Sequence, residues 1–398
     1  MPRHSGSVEI LILVTRRYRK ILVCITEDWF ALSHFRPLMR TLAGLADEVV
    51  VACRSSGRMG EIRALGCRTI DFDFQRSSLQ PMVQADVVRR LVRLIRDEQP
   101  DVVHAIAMQM LVVTSIATRM AHVPHTVLHL TGLGFLGISE GVVARVIRPL
   151  AIRQLAYTLR APGSWLLAEN PDDVAFLREG GADAGARLTI LGGAGIDERE
   201  FPAQPPTGNV RPVAAFVGRM IRSKGVDVLV DAQRRLSDRG IALDVALYGK
   251  TDDDNPQGVP QAELDAWARQ GGVTWHGHVS DIRSVWARSD IAVLPAITRE
   301  GLPRSVLEAA ASARPLIVTD VPGCRHVVRD GIDGMIVPPS DSAALADALA
   351  RLVGDIALRE RMGAAARERV LSGFTIAHVE AGIREAYLKM KMGTAPFS

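Results

Sequence analysis

Cysteine is scarce in this 398-residue chain: the four present, Cys24, Cys53, Cys67 and Cys324, make no Cys-x-x-Cys pair and no histidine cluster at zinc spacing. A disulfide framework and a structural zinc site are thereby excluded, and a reducing, cytoplasmic compartment is the expectation. Aromatic residues are few, at 5%, and are not interleaved with the basic ones, so the stacking platforms of nucleic-acid binders have no counterpart. Long apolar runs are missing too. The uncharged stretch at residues 102–118 contains His104 and Gln109 and falls short of the roughly 18 apolar residues that read as a spanning helix. The run at residues 8–14 is too short for a secretory core and is followed by no small-residue cleavage site, so no export signal is expected.

The chain is 47% apolar and 23% charged, as soluble folded proteins are, and it is longer than the roughly 250 to 300 residues at which a single core stops growing. Two domains are expected. Residues 1–168 carry 21 Lys/Arg against 13 Asp/Glu, whereas residues 169–398 carry 27 against 31, so the front half is basic. A basic surface suits an anionic membrane, nucleic acid or an acidic substrate, and equally suits plain solvation.

Short apolar runs, KILVCIT (20–26), EVVVAC (48–53) and DVVHAI (101–106), alternate with helical periods such as residues 85–97, where Val87, Val88, Leu91, Leu94 and Ile95 share one face. That alternation predicts βαβ units and a parallel sheet. After Phe201 the stretch 202–211 holds three prolines and a glycine with no apolar period and reads as a linker. Strands then recur near residues 213, 243, 273, 291 and 315, which predicts a second α/β domain. The expected division is an extension at 1–19, a first domain at 20–201, a linker at 202–211, a second domain at 212–375, and a helix at 376–398 packing back on the first domain.

Two constellations carry chemistry. Gly218-Arg219 ends an apolar strand, and Lys224-Gly225 precedes a helix five residues later. A glycine at a strand end allows a tight turn, helix N-terminal amides attract phosphate, and a guanidinium with an ammonium suits a diphosphate. Glu300-Gly301-Leu302-Pro303 follows the strand IAVLPA, with Glu308 on the helix after it. Carboxylates at the C-terminal end of a parallel strand accept hydrogen bonds from paired hydroxyls, as on a ribose or hexose. Loop charges and a chance Glu pair are the plainer readings of each motif taken alone.

The stretches GRMIRSKG, GHVSDIRSVWARSDIAVLPA, EGLPRSVLEAAASARPLIVTDVPGCRHVV and DGMIVPPSD resemble family 4 of the nucleotide-sugar glycosyltransferases. In the first half, TEDWFALSHF, PDVVHA, HLTGLGF, ENPDDVAFL and GAGIDEREF resemble a subgroup that builds bacterial surface polysaccharides on polyprenyl-diphosphate carriers. The resemblance implies the GT-B fold, two Rossmann-like doubly wound domains, and retaining transfer from a UDP-sugar, with N-acetylhexosamine favoured, to a lipid-linked saccharide at the inner face of the cytoplasmic membrane. It implies that Gly218, Arg219 and Lys224 hold the diphosphate, that Glu308 holds the ribose, and that Glu300 contacts the donor sugar together with amides around Leu302 and Pro303. It implies that His129 hydrogen-bonds the sugar near the reaction centre, and that Gly132 and Gly134 let the backbone approach donor or acceptor. His34 falls where the family's first loop faces the cleft. His104 and His129 both end apolar strands, where a histidine is more often a structural group. Asp172 and Asp173 read as a helix cap.

Departures accompany the likeness. EDWFALSH stands where the wider family has paired glycines after the first strand, which bears on acceptor contacts. Ala313 and Ala296-Ile297 replace family-typical residues away from the phosphate and ribose positions. The acidic run Asp252-Asp253-Asp254 reads as a loop tip, so no metal and no other cofactor is expected, with Arg219 and Lys224 doing the neutralising. Residues 141–160 alternate apolar residues with Arg145, Arg148, Arg153 and Arg160, a pattern suited to an anionic bilayer or to an ordinary solvated helix face. A sugar-nucleotide epimerase and a non-catalytic binding subunit of the same fold are the competing readings.

Overall fold

The computed structural model describes residues 17–75, 80–134, 137, 141–253 and 255–393. The chain forms two compact units: residues 1–194 with 377–398, and residues 195–376.

The first unit is built on a seven-stranded parallel sheet. Its strands are β1 (Tyr18–Glu27), β2 (Ala46–Arg54), β3 (Arg68–Asp71), β4 (Val102–Ile106), β5 (His125–Leu130), β6 (Ser164–Ala168) and β7 (Leu188–Ile190), in the order β3-β2-β1-β4-β5-β6-β7. Aliphatic residues run continuously through β1, β2 and β4 because both faces of the sheet are covered. Leu22, Cys24, Val50, Ala52, Val103, Ala105 and Leu128 pack on one face, and Ile21, Val23, Val49, Val51, Val102, Ile106 and Val127 on the other. The C-terminal helix, Ile376–Met392, joins this second face through Val379, Ile383, Ala386, Tyr387 and Met390.

The second unit repeats the plan with six parallel strands: β8 (Val213–Val217), β9 (Asp244–Tyr248), β10 (Val273–Trp275), β11 (Ile291–Leu294), β12 (Leu316–Thr319) and β13 (Gly334–Val337), ordered β10-β9-β8-β11-β12-β13. Strand order reverses between β1 and β4 in one sheet and between β8 and β11 in the other. Such switch points open a crevice at the carboxyl ends of open α/β sheets.

Three boundaries differ from expectation. Tyr18 and Arg19 belong to β1 rather than to an extension: Tyr18 is buried and its hydroxyl donates to the Tyr387 carbonyl at 2.9 Å. Residues 1–16 lie outside the described residues. The second unit starts at Gly195, before the proline-rich stretch, because Ile196 and Phe201 are buried in its core. Residues 202–211 carry no helix or strand yet are strapped to that unit. Gln204 N donates to the Ser312 carbonyl at 3.1 Å, Arg314 reaches the Pro205 carbonyl at 2.9 Å, and Asn209 donates to Asp290 at 2.9 Å.

Candidate active site

In the second unit the residues singled out gather at the carboxyl ends of β8 and β11. Gly218 follows β8, and its N–H donates to the Tyr248 carbonyl at 2.9 Å. The neighbouring turn approaches so closely that a Cβ on Gly249 would sit 1.7 Å from the Gly218 carbonyl oxygen. A one-turn 3₁₀ segment, Arg222–Lys224, then leads through Gly225 into the helix Val226–Asp238. Gly225 has φ of +71°, and a Cβ there would lie 1.9 Å from the Pro295 carbonyl oxygen just beyond β11. Only glycine lets the first loop lie against the second. The Ile297 N–H, donating to the Ser223 carbonyl at 2.9 Å, fixes the same approach.

That approach sets Lys224 beside Glu300. The ammonium lies 2.7 Å from each carboxylate oxygen, and the two side chains are only 20% and 15% exposed. Arg219 is 61% exposed and donates to Asp252 at 2.6 Å. The two cations are therefore not bare: each is held by a carboxylate, and Asp252 is a partner of the site rather than a loop tip. Asp253 takes no part in an ion pair among the described residues, and Asp254 lies outside them.

Glu300 is tethered through its N–H to the Pro322 carbonyl at 3.0 Å. Gly323, at φ of +85°, presses on the same loop, where a Cβ would meet the Gly301 carbonyl oxygen at 2.2 Å. Leu302 is half-buried and Pro303 buried; Pro303 precedes the helix Arg304–Ala311 and has no N–H of its own, so the amides there come from its neighbours. Glu308, one turn into that helix, is buried and accepts from Arg304 at 2.8 Å. Burial pushes its carboxyl above the usual range, and the Arg304 charge opposes the shift.

In the first unit His104, at the middle of β4 rather than at its end, meets His129, the next-to-last residue of β5. β4 and β5 run parallel with Ile106 opposite His129, so His104 and His129 project to the same face of the sheet. His104 Nε2 lies 3.3 Å from His129 Nδ1, and His104 Nδ1 lies 2.7 Å from the Tyr387 hydroxyl. Both imidazoles are buried, at 0% and 2% exposure. Desolvation holds both neutral, His129 at about 3 and His104 well below its ordinary value. His129 Nε2 is buried with no hydrogen-bond partner among the described residues. Gly132 and Gly134 follow β5 with φ of +122° and +52°, a path that favours glycine.

His34 stands on a short helix, Asp28–His34, beside the carboxyl end of β1. Its Nδ1 is 2.7 Å from the Ser33 hydroxyl, and its ring contacts Phe30 and Phe35. Phe35 in turn meets the His129 ring edge-on at 5.5 Å. An aromatic path thus runs from His34 to His129 through EDWFALSHF, the stretch that departs from the family pattern. Asn170 caps the helix Pro171–Glu179 through the Asp173 N–H at 2.8 Å, so Asp172 and Asp173 occupy the first turn rather than the cap.

Sequence reasoning missed three contributors. Tyr387 lies in a C-terminal helix that gives no local sign of a site. Asp252 belongs to an acidic run that looks like solvated loop. Ala107, just after β4, has φ of +76°, an unusual value for a non-glycine residue, and its N–H donates to the His129 carbonyl at 3.1 Å.

Two family models match the chain: "Glycosyl transferase 4-like" over residues 20–153 and "Glycosyl transferases group 1" over residues 211–355. The chain is 25% identical over 373 residues to N,N'-diacetylbacillosaminyl-diphospho-undecaprenol alpha-1,3-N-acetylgalactosaminyltransferase of Campylobacter jejuni, covering 90% of this chain and 95% of that one. It is 24% identical to UDP-Gal:alpha-D-GlcNAc-diphosphoundecaprenol alpha-1,3-galactosyltransferase of Escherichia coli, over 75% of this chain and 78% of that one. Among solved structures, Anabaena HepE in complex with UDP matches with a TM-score of 0.75 at 18% identity, covering 92% of this chain and 99% of that chain. Sucrose-phosphate synthase from Thermosynechococcus elongatus matches equally well in fold, with a TM-score of 0.75 and 18% identity over 94% and 100% of the two chains.

Proposed function

Because the chain belongs to the group 1, family 4-like glycosyltransferases and is a hexosyltransferase of GT-B fold, we propose that it moves a hexosyl residue, N-acetylhexosamine by preference, from a UDP-sugar to a polyprenyl-diphosphate-linked saccharide with retention of anomeric configuration. The carrying observation is the convergence of Arg219, Lys224 and Glu300 at the carboxyl ends of β8 and β11, with Glu308 on the helix that follows.

Breaking a sugar–diphosphate bond leaves positive charge at the anomeric carbon and negative charge on the departing diphosphate. Cations already fixed in place stabilise that separation more than they stabilise the bound donor. Lys224 has three N–H donors and commits two to Glu300, so one remains for a phosphate oxygen while the carboxylate holds the ammonium in position. Arg219, tethered at one nitrogen by Asp252, keeps the rest of its fork for the diphosphate. Glu308 receives the ribose hydroxyls, and Glu300 the donor sugar. The acceptor hydroxyl attacks the anomeric carbon on the face the diphosphate leaves, its proton passes to a departing phosphate oxygen, and the nucleoside diphosphate is released. The residues assigned to leaving-group neutralisation are side-chain cations, and the mechanism as proposed uses no metal and no cofactor.

The first unit takes the acceptor. Among the described residues no helix is long and apolar enough to cross a membrane. The helix Val142–Leu159 nevertheless exposes Val146, Leu150 and Tyr157, at 58%, 63% and 50%. Arg153 and Arg160 share this face, which spans about 80° of the helical wheel. Ala151, Ile152, Leu155 and Leu159 are buried on the opposite side. Exposed apolar groups among arginines suit peripheral docking on an anionic bilayer, where a lipid-linked acceptor resides.

The test is a panel of UDP-, GDP- and dTDP-sugars offered with membranes carrying polyprenyl-diphosphate saccharides. Product from a UDP-sugar, with the donor's anomeric configuration by NMR, supports the proposal. Conversion of the nucleotide sugar without acceptor would favour the epimerase, and inversion of configuration would remove the front-face mechanism.

A further inference from the structure

The buried chain from Tyr387 to His129 has a direction, and it can be worked out by counting protons. A neutral imidazole has one N–H and one bare nitrogen. Burial keeps both rings neutral, so His104 Nε2 and His129 Nδ1 share a single proton between them. Two arrangements satisfy that contact. In the first, the Tyr387 hydroxyl donates to His104 Nδ1, His104 Nε2–H donates to His129 Nδ1, and His129 carries its proton on Nε2. In the second every bond reverses, and His129 Nε2 is bare.

The surroundings distinguish the two. Among the described residues the Tyr387 hydroxyl has His104 as its one hydrogen-bond partner, and the nearby Tyr18 hydroxyl donates to the Tyr387 main-chain carbonyl at 2.9 Å. Among the described residues, the reversed arrangement leaves the Tyr387 proton without an acceptor and His129 Nε2 without a donor. The forward arrangement leaves one group open, the His129 Nε2–H. Buried polar groups without partners are costly, so the arrangement with fewer of them prevails. The rings are also held sterically: Tyr18 packs edge-on against Tyr387 at 5.8 Å and Phe35 against His129 at 5.5 Å.

We propose that Tyr387 and His104 are positioning residues that orient the proton of His129 onto Nε2, making His129 a neutral hydrogen-bond donor to the substrate. The inference rests on the reading of His129 as a substrate contact. It gives the C-terminal helix a part in the reaction: the helix supplies the hydroxyl that sets the direction of the relay. A donor fixed in advance needs no reorganisation as charge develops on a sugar or phosphate oxygen.

The full-length protein labelled with ¹⁵N in its histidine rings reports the tautomer directly. The wild-type His129 signal is expected to show a protonated Nε2 and a bare Nδ1, unchanged between pH 8 and pH 6. Tyr387→Phe, which keeps the ring and the main-chain bond to Tyr18, is expected to give a mixed tautomer and about a tenfold fall in kcat, with the donor KM within about threefold. His104→Gln, whose amide N–H can replace the Nε2 donor, should retain most activity, whereas His104→Phe should fall as Tyr387→Phe does. A protonated Nδ1 at His129 in the wild type, or wild-type kcat in Tyr387→Phe, overturns the relay. Wild-type kcat in His129→Ala would instead overturn the reading of His129 beneath it, whatever the spectrum shows.

Discussion

Replacing Lys224 by alanine removes one ammonium that the structure places 2.7 Å from both oxygens of Glu300. Two consequences separate cleanly. For stability, opposite charges at about 4 Å in an effective dielectric of about 20 attract by roughly 4 kcal/mol. Desolvation of the two mostly buried groups takes back part of this, leaving a net loss of about 1–3 kcal/mol when one partner goes. In a unit of roughly 180 residues, about 2 kcal/mol lowers the unfolding midpoint by about 5 °C. Lys224→Ala and Glu300→Ala should each show this loss, and the double variant should lose less than their sum by about 1–3 kcal/mol. For catalysis, losing one preorganised charge-stabilising group costs about 10²–10³ in kcat. Calorimetry on the four proteins of the cycle and steady-state transfer with saturating acceptor measure the two effects. A Lys224→Ala enzyme that melts as expected but keeps kcat within about threefold of wild type would make the ion pair structural and refute its role at the leaving group.

Gly225→Ala should prevent the second unit from folding stably or cost more than about 3 kcal/mol, read by thermal melting, because the new Cβ would fall 1.9 Å from a main-chain oxygen at a positive φ. Asp252→Ala frees the Arg219 fork; the Arg219 end of the pair is solvent-exposed, so stability should change by less than about 1 kcal/mol while the donor KM rises severalfold. His129→Gln should flatten the acid sensitivity of folding. The histidine's pKa falls from 6.5 to about 3 on folding, so its contribution to stability is present above pH 6.5 and drains away as the pH drops toward 3. Between pH 7 and pH 5 the wild type should lose about 2 kcal/mol that the variant keeps, measured by denaturant unfolding at the two values. Ala107→Gly should raise stability by about 1 kcal/mol by relieving the positive φ, measured in the same way.

Much of the second unit was legible because its chemistry is local in sequence. Gly218, Arg219, Lys224 and Gly225 lie within one loop, and Glu300 to Glu308 span one loop and one helix, so a linear reading sees each group nearly whole. What it could not see was the pairing across them. Lys224 and Glu300 are 76 residues apart, and their contact exists because Gly225 lets one loop lie on the other. Arg219 and Asp252 meet for a similar reason, across the ends of β8 and β9. In the first unit a histidine ending a strand is ambiguous by itself. The decisive facts, that His104 and His129 share a face and that Tyr387 reaches them, depend on strand register and on the return of the C-terminal helix.

The sequence by itself determined the alternation of strands and helices, hence two parallel sheets, and the residue types able to hold a sugar nucleotide, since period and local motif are properties of neighbours along the chain. Tertiary structure alone decided where the units divide, which cation is held by which carboxylate, and which way the protons of the buried histidines point. Those depend on distances between residues far apart in sequence, and only the packed fold sets them.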